Sequence, residues 1–121
     1  MSKLLVVDDE QSICWGLTRL GESLGHEVVS ASSAEQAFHE AQRLRPDAVI
    51  LDVRLPGMDG IAGTRVVLER SPHTSVVVIS IFDDPSHRSA ASRAGAKAYV
   101  CKRAISRELI PVIHKLVSCW P

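Results

Sequence analysis

Short apolar runs recur along the chain at residues 4–7, 28–29, 48–51, 76–79 and 98–100. Most are β-branched and continuous rather than alternating. That is the form strands take when helices cover both faces of a parallel sheet. Helical periodicity fills the intervals. Ile13, Leu17, Leu20 and Leu24 recur at spacings of four, three and four, and Gly25 follows as a stop. Ser33 and Gln36 have capping-box spacing, ahead of an apolar stripe of Ala34, Ala37, Phe38, Ala41 and Leu44. Ile61, Thr64 and Leu68 mark a third, shorter helix. A fourth over residues 84–94 opens on Asp84-Pro85 and closes at Gly95. Its only apolar residues are alanines, so weak packing and mobility are expected of it. Leu109, Val112, Ile113 and Leu116 mark the fifth, with Pro111 inside it as a source of a kink or a late start. Five strands alternating with five helices predict an α/β fold with a parallel sheet between two helical layers.

The polar residues that follow the strands carry the chemistry. The first strand runs into Asp8-Asp9-Glu10, the third ends in Asp52, the fourth in Ser80, and the fifth leads to Lys102. Ligand sites in open α/β sheets lie at the carboxyl ends of the strands. These groups should therefore meet on one rim. Taken singly, Asp8 and Asp9 read equally well as caps of the first helix, Asp52 as a turn residue, and Lys102 as a solvated lysine. Jointly they describe adjacent carboxylates whose repulsion a divalent cation would relieve. Mg²⁺ prefers such oxygen ligands, and a nearby lysine and hydroxyl suit phosphoryl transfer to or from an aspartate.

Composition narrows the function classes. The chain has 121 residues, 45% apolar and 23% charged, the size and balance of one globular domain. Fourteen basic residues offset fourteen acidic ones. A neutral chain is poorly suited to holding nucleic acid or an anionic membrane unaided. No apolar run approaches the roughly 20 residues that span a bilayer, and the amino terminus does not read as a signal peptide. Cys14, Cys101 and Cys119 form no C-x-x-C pair and read as reduced thiols, so a cytoplasmic location is expected. No phosphate-cradling glycine motif occurs. A Mg²⁺-dependent hydrolase working through an aspartyl phosphate would want an acid two residues after the nucleophile, where Arg54 stands.

The segments Leu5-Val6-Val7-Asp8-Asp9-Glu10, Leu51-Asp52-Val53-Arg54-Leu55-Pro56-Gly57-Met58-Asp59-Gly60, the strand ending in Ser80, and Ala94-Gly95-Ala96-Lys97-Ala98-Tyr99-Val100-Cys101-Lys102 resemble the receiver domain of two-component response regulators. The resemblance covers essentially all of residues 1–121, with any output domain lying beyond Pro121. It implies a doubly wound, flavodoxin-like sheet of strand order 2-1-3-4-5 flanked by five helices. It implies that Asp52 accepts a phosphoryl group from a histidine kinase's phosphohistidine, and that Asp8, Asp9, Asp52 and the backbone carbonyl of Arg54 hold Mg²⁺. Ser80 and Lys102 then match the hydroxyl and lysine that meet the phosphoryl group, and Tyr99 the aromatic whose rotamer follows activation. Residues 56–60 match the glycine-dependent loop beyond the acceptor.

The implied activity is that of a phosphoacceptor switch that catalyses its own loading and slow dephosphorylation, not a turnover enzyme. The implied partners are a sensor kinase or phosphotransfer protein and an output domain or target, transcriptional in kind. Direct DNA or membrane binding is not implied; a phosphorylation-dependent dimer is compatible. A pseudo-receiver that binds partners unphosphorylated is the competing reading. Three departures stand out: Ile81 where a small residue usually follows the hydroxyl, Arg103 where proline often follows the lysine, and Pro111. With Arg54 and Phe82 also large, the phosphorylated state is expected to be long-lived.

Overall fold

The computed structural model describes residues 2–55 and 58–117. Pro56, Gly57 and Cys119 lie outside the described residues. The elements run β1 (Lys3–Val7), α1 (Gln11–Ser23), β2 (Glu27–Ala31), α2 (Ala34–Leu44), β3 (Ala48–Asp52), β4 (Arg54–Leu55), β5 (Met58–Asp59), α3 (Gly60–Arg70), β6 (Ser75–Ser80), α4 (Pro85–Ala94), β7 (Ala98–Cys101), a 3₁₀ turn (Lys102–Ala104) and α5 (Ile105–Val117). Five strands form one parallel sheet in the order β2-β1-β3-β6-β7. Once the short antiparallel pair β4–β5 is set aside, this is the expected 2-1-3-4-5 order.

Alternate residues of each strand feed opposite faces of the sheet, because successive side chains point to opposite sides. Leu5, Val7, Val49, Leu51, Val76 and Val78 pack beneath α2, α3 and α4 through Ala37, Ala41, Val67 and Ala91. Leu4, Val6, Ile50, Val77, Ile79 and Val100 pack against Leu17 of α1 and Leu109 and Ile113 of α5. The continuous apolar runs are thus two half-cores read in alternation.

Local chemistry sets the helix ends. Ser33 Oγ accepts from Gln36 N, but the returning Gln36 side chain accepts from Ser32 N rather than Ser33 N, so the capping box is displaced by one residue. Gly95 ends α4 at φ 109°, in the left-handed region. Pro111 sits on an exposed face of α5, and the helix runs through it from Ile105 to Val117. The expected late start at this proline is therefore not found. The carbonyl it leaves without a donor, that of Arg107, belongs to an exposed residue.

Gly60 is needed for a close approach, not for a positive φ. Its N–H donates to Val53 O at 2.7 Å, which folds the start of α3 against the end of β3. A Cβ there would collide with the Asp52 carbonyl and lie 2.7 Å from Val53 Cα. Gly16, on the exposed side of α1, has nothing within 4 Å of a Cβ. Gly60→Ala is expected to destabilise the fold by about 3 kcal/mol or more, and Gly16→Ala to stabilise it by roughly 0.5–1 kcal/mol. Urea denaturation of the two variants checks this; equal effects would place the constraint elsewhere.

Candidate phosphoacceptor and metal site

Register brings the acids together. Val7 pairs with Leu51 across β1 and β3, so Asp8 and Asp52 are the next residues on neighbouring strands. Asp52 pairs with Ile79, one step before Ser80, and Ser80 pairs with Cys101, one step before Lys102. All four side chains reach the carboxyl rim beside the point where strand order reverses, between β1 and β3. Asp9, Asp52, Arg54, Ser80, Ile81 and Lys102 line an open cavity of about 230 Å³ there.

Asp8 and Asp52 are buried, at 1% and 4% exposure, while Asp9 is exposed. Neither Asp8 nor Asp9 caps α1, whose N-cap is Glu10. Asp8 Oδ1 instead accepts from Glu10 N at 2.9 Å, and Asp52 Oδ1 from Arg54 N at 3.2 Å. Both carboxylates are thus oriented by the backbone two residues on.

Lys102 is the countercharge. Its Nζ lies 2.9 Å from Asp8 Oδ2, 3.3 Å from Asp52 Oδ2 and 3.3 Å from Glu10 Oε1. It is therefore shared among three acids, not reserved for Asp52. Burial opposes its charge, but the close pairing with Asp8 and the charges of Asp52 and Asp8 outweigh this and raise its pKa. Asp52 is pushed up to about 6: burial is the main cause, Asp8 adds to it, and the Arg54 N–H and Lys102 hold it back.

The residues fit a hard cation. Asp8, Asp9 and Asp52 can each turn a carboxylate oxygen to within 4.8 Å of the others. Asp8 Oδ2 is buried and receives no well-aligned hydrogen bond despite the nearby ammonium. An all-oxygen set with one open, solvated side suits Mg²⁺.

The other expected residues surround this centre. Ser80 Oγ accepts from Phe82 N at 3.0 Å. The Tyr99 hydroxyl donates to Phe82 O at 2.8 Å, and burial pushes its pKa up. Phe82 thus links Ser80 and Tyr99 through its backbone. Ile81 is 52% exposed and faces the cavity, not the core. The two described cysteines, Cys14 and Cys101, are free thiols.

Contacts at α4 had no periodicity to announce them. Arg88 holds Asp83 through two nitrogens at 2.7 and 2.8 Å, and its guanidinium lies 4.9 Å from the Tyr99 ring centroid. His87 Nδ1 meets Asp84 and its ring stacks on Phe82. The visible signal was acid pair Asp83-Asp84 followed within one helical turn by His87-Arg88.

A family model for the response regulator receiver domain matches residues 4–114. The chain belongs to this family. The receiver is 36% identical over 116 residues to the response regulator GacA of Pseudomonas syringae pv. syringae, covering 94% of this chain and 54% of that protein. It is 28% identical over 121 residues to the protein PilH of Pseudomonas aeruginosa, covering 98% and 99%. The chain therefore spans about half the length of the GacA relatives but nearly all of PilH. Among solved structures, a LuxR-family two-component response regulator from Aurantimonas sp. SI85-9A1 superposes at TM-score 0.90 with 28% identity, covering 98% of this chain and 86% of that one. The BeF3-activated DrrB receiver domain gives 0.89 with 26% identity over 98% of both chains. The family places the receiver in two-component signalling. No helix among the described residues is long and apolar enough to cross a membrane.

The raised pKa of Asp52 sets a stability test on metal-free protein. The folded state binds this proton more tightly than the unfolded chain. The resulting stability is present below the ordinary pKa of 3.8 and lost as pH rises through about 6. Asp52→Asn is therefore expected to stabilise the chelator-treated receiver near neutral pH by on the order of 1–3 kcal/mol. The gain should vanish at acidic pH in urea titrations; a gain independent of pH would mean that the Asp52 charge is not strained.

Proposed function

We propose that Asp52 accepts a phosphoryl group from the phosphohistidine of a sensor histidine kinase or phosphotransfer protein, with Mg²⁺ present, and that the receiver then changes conformation to control an output. The observation that supports this most is the meeting of buried Asp8 and Asp52 on the Lys102 ammonium, with Asp52 and Lys102 lining a cavity open to solvent. One Asp52 carboxylate oxygen bonds to phosphorus. The phosphorus–nitrogen bond breaks, and its electron pair returns to the donor imidazole. A pKa of about 6 leaves Asp52 ionised, and so nucleophilic, at neutral pH.

Asp8, Asp9, Asp52 and the Arg54 carbonyl are the residues that would hold Mg²⁺, which when bound neutralises the crowded oxygens. Lys102, already 3.3 Å from Asp52 Oδ2, is placed to pair with the new charge of about −1.5 to −2. Ser80 reaches the same group by exchanging its bond from Phe82 N for one it donates to a phosphoryl oxygen. That exchange frees the Phe82 segment, and with it the acceptor of the Tyr99 hydroxyl. The surface of α4, β7 and α5 then carries the signal.

The relatives include both longer regulators such as GacA and the PilH length class. We read the output as transcriptional control through an attached domain, in keeping with a relative named transcriptional regulatory protein LnrK. The receiver itself supplies no nucleic-acid surface in this reading.

Acetyl phosphate with Mg²⁺ is expected to add one phosphoryl group to the wild type by intact-mass analysis, and none to Asp52→Asn or to chelated protein. Full labelling of Asp52→Asn would remove the assignment. Ile81, half exposed at the cavity mouth, crowds the approach of water. Ile81→Ala should then lose the phosphoryl group severalfold faster, since ångström-scale obstruction of an in-line attack is costly; equal or slower loss would clear Ile81 of that role.

A further inference from the structure

The side chain of Arg54 is exposed and stands on the wall between two cavities. One is the site cavity with Asp52 and Ile81; the other is a groove of about 600 Å³ bounded by Leu55, Met58, Phe82 and His87. Its guanidinium carbon lies 4.9 Å from the centroid of the Phe82 ring. The same ring is stacked with His87 at 4.7 Å and 13° between planes, and His87 Nδ1 is joined to Asp84 Oδ1. Four side chains from β4, the β6–α4 loop and the first turn of α4 thus form one connected row ending at the mouth of the site.

We propose that Asp84, His87 and Phe82 are positioning residues that park the Arg54 guanidinium on the Phe82 ring, and that this parking shortens the life of the phosphorylated state. The inference rests on the phosphoacceptor reading of Asp52. Arg54 is long and flexible, and it is the cation at the mouth that is not tied to an acid by any contact described above. A phosphoryl group on Asp52 would offer it a strong alternative partner. The ring competes for it through cation–π attraction, whose size at an exposed site is small enough to be tipped by how well the ring is held. His87 holds the ring, and Asp84 holds His87.

The step at stake is hydrolysis. A water oxygen bonds to phosphorus, the bond from phosphorus to the Asp52 oxygen breaks, and the carboxylate keeps the electron pair. The water's protons leave with inorganic phosphate and solvent. A parked Arg54 leaves the outer phosphoryl oxygens open to that water. A released Arg54 pairs with them and occupies the approach.

Two measurements test this. After loading with acetyl phosphate and Mg²⁺ and removal of the donor, phosphoprotein is followed by intact mass. His87→Ala is expected to lose its phosphoryl group about two- to fivefold more slowly than wild type, the range a surface cation–π contact can supply. Asp84→Asn should shift the rate the same way. In an Arg54→Ala background, His87→Ala should change nothing, because the residue it acts through is gone. An unchanged or faster rate, or an equal change without Arg54, overturns the proposal. The second measurement needs no phosphorylation: the ring-current shift of the Arg54 Cδ protons in the free receiver should collapse in His87→Ala. If it persists, Arg54 is not parked by this row, whatever the loading experiments show. Failure of wild type to load would instead count against the acceptor reading of Asp52.

Discussion

Everything at the carboxyl rim depends on how three neighbouring carboxylates and Glu10 are kept from expelling one another. Two of the carboxylates, Asp8 and Asp52, are almost wholly buried. Burial alone would neutralise them. Each is instead oriented by a backbone N–H, and the two share the Lys102 ammonium. The arrangement is balanced but not relaxed. Asp52 still sits well above the ordinary carboxylate range, and Asp8 Oδ2 lacks a directed hydrogen bond. A site left in that condition favours any reaction or ion that adds positive charge or redistributes the negative.

The parallel sheet makes this possible. Strands β1, β3, β6 and β7 deliver their next residues to one rim at fixed register, and two half-cores on opposite faces hold that register. Gly60 then lets α3 close against Val53 without displacing Asp52. From the rim, a short path leads outward: Ser80 to the Phe82 backbone, Phe82 to the Tyr99 hydroxyl, Tyr99 to Arg88 of α4. The helix buries only alanines, Ala91 and Ala94. Its N-terminal turn is held largely by polar and ring contacts at the surface, which are individually weak. An element held in this way can move at low free-energy cost.

Much of this was legible in the chain. The five strands were visible because each holds a short continuous apolar run, most of them β-branched, and the rim acids and Lys102 because they stand at or just past the ends of such runs. The pair β4–β5 was not visible, since two-residue strands are shorter than any periodicity. Pro111 lies inside the helix as its position suggested but does not delay the start, because the helix exposes it on a face where its missing donor leaves a carbonyl accessible to water. The sharing of Lys102 among Asp8, Asp52 and Glu10, and the rows built on His87 and Arg88, come from loops and helix ends. There, side-chain direction is set by tertiary geometry and not by spacing. The side chain of Ile81 could have turned into the core or into the cavity, and only the fold decides that it faces the cavity.

The charge balance at the rim is most directly tested by following the carboxyl carbons of the aspartates by NMR during a pH titration, first without and then with Mg²⁺. Asp52 should titrate near 6 in the metal-free receiver, and Mg²⁺ should lower that value by a unit or more, on the order expected for a cation beside a carboxylate. An Asp52 that titrates near 3.8, the ordinary value, and ignores Mg²⁺ would contradict a strained acidic cluster built to receive positive charge.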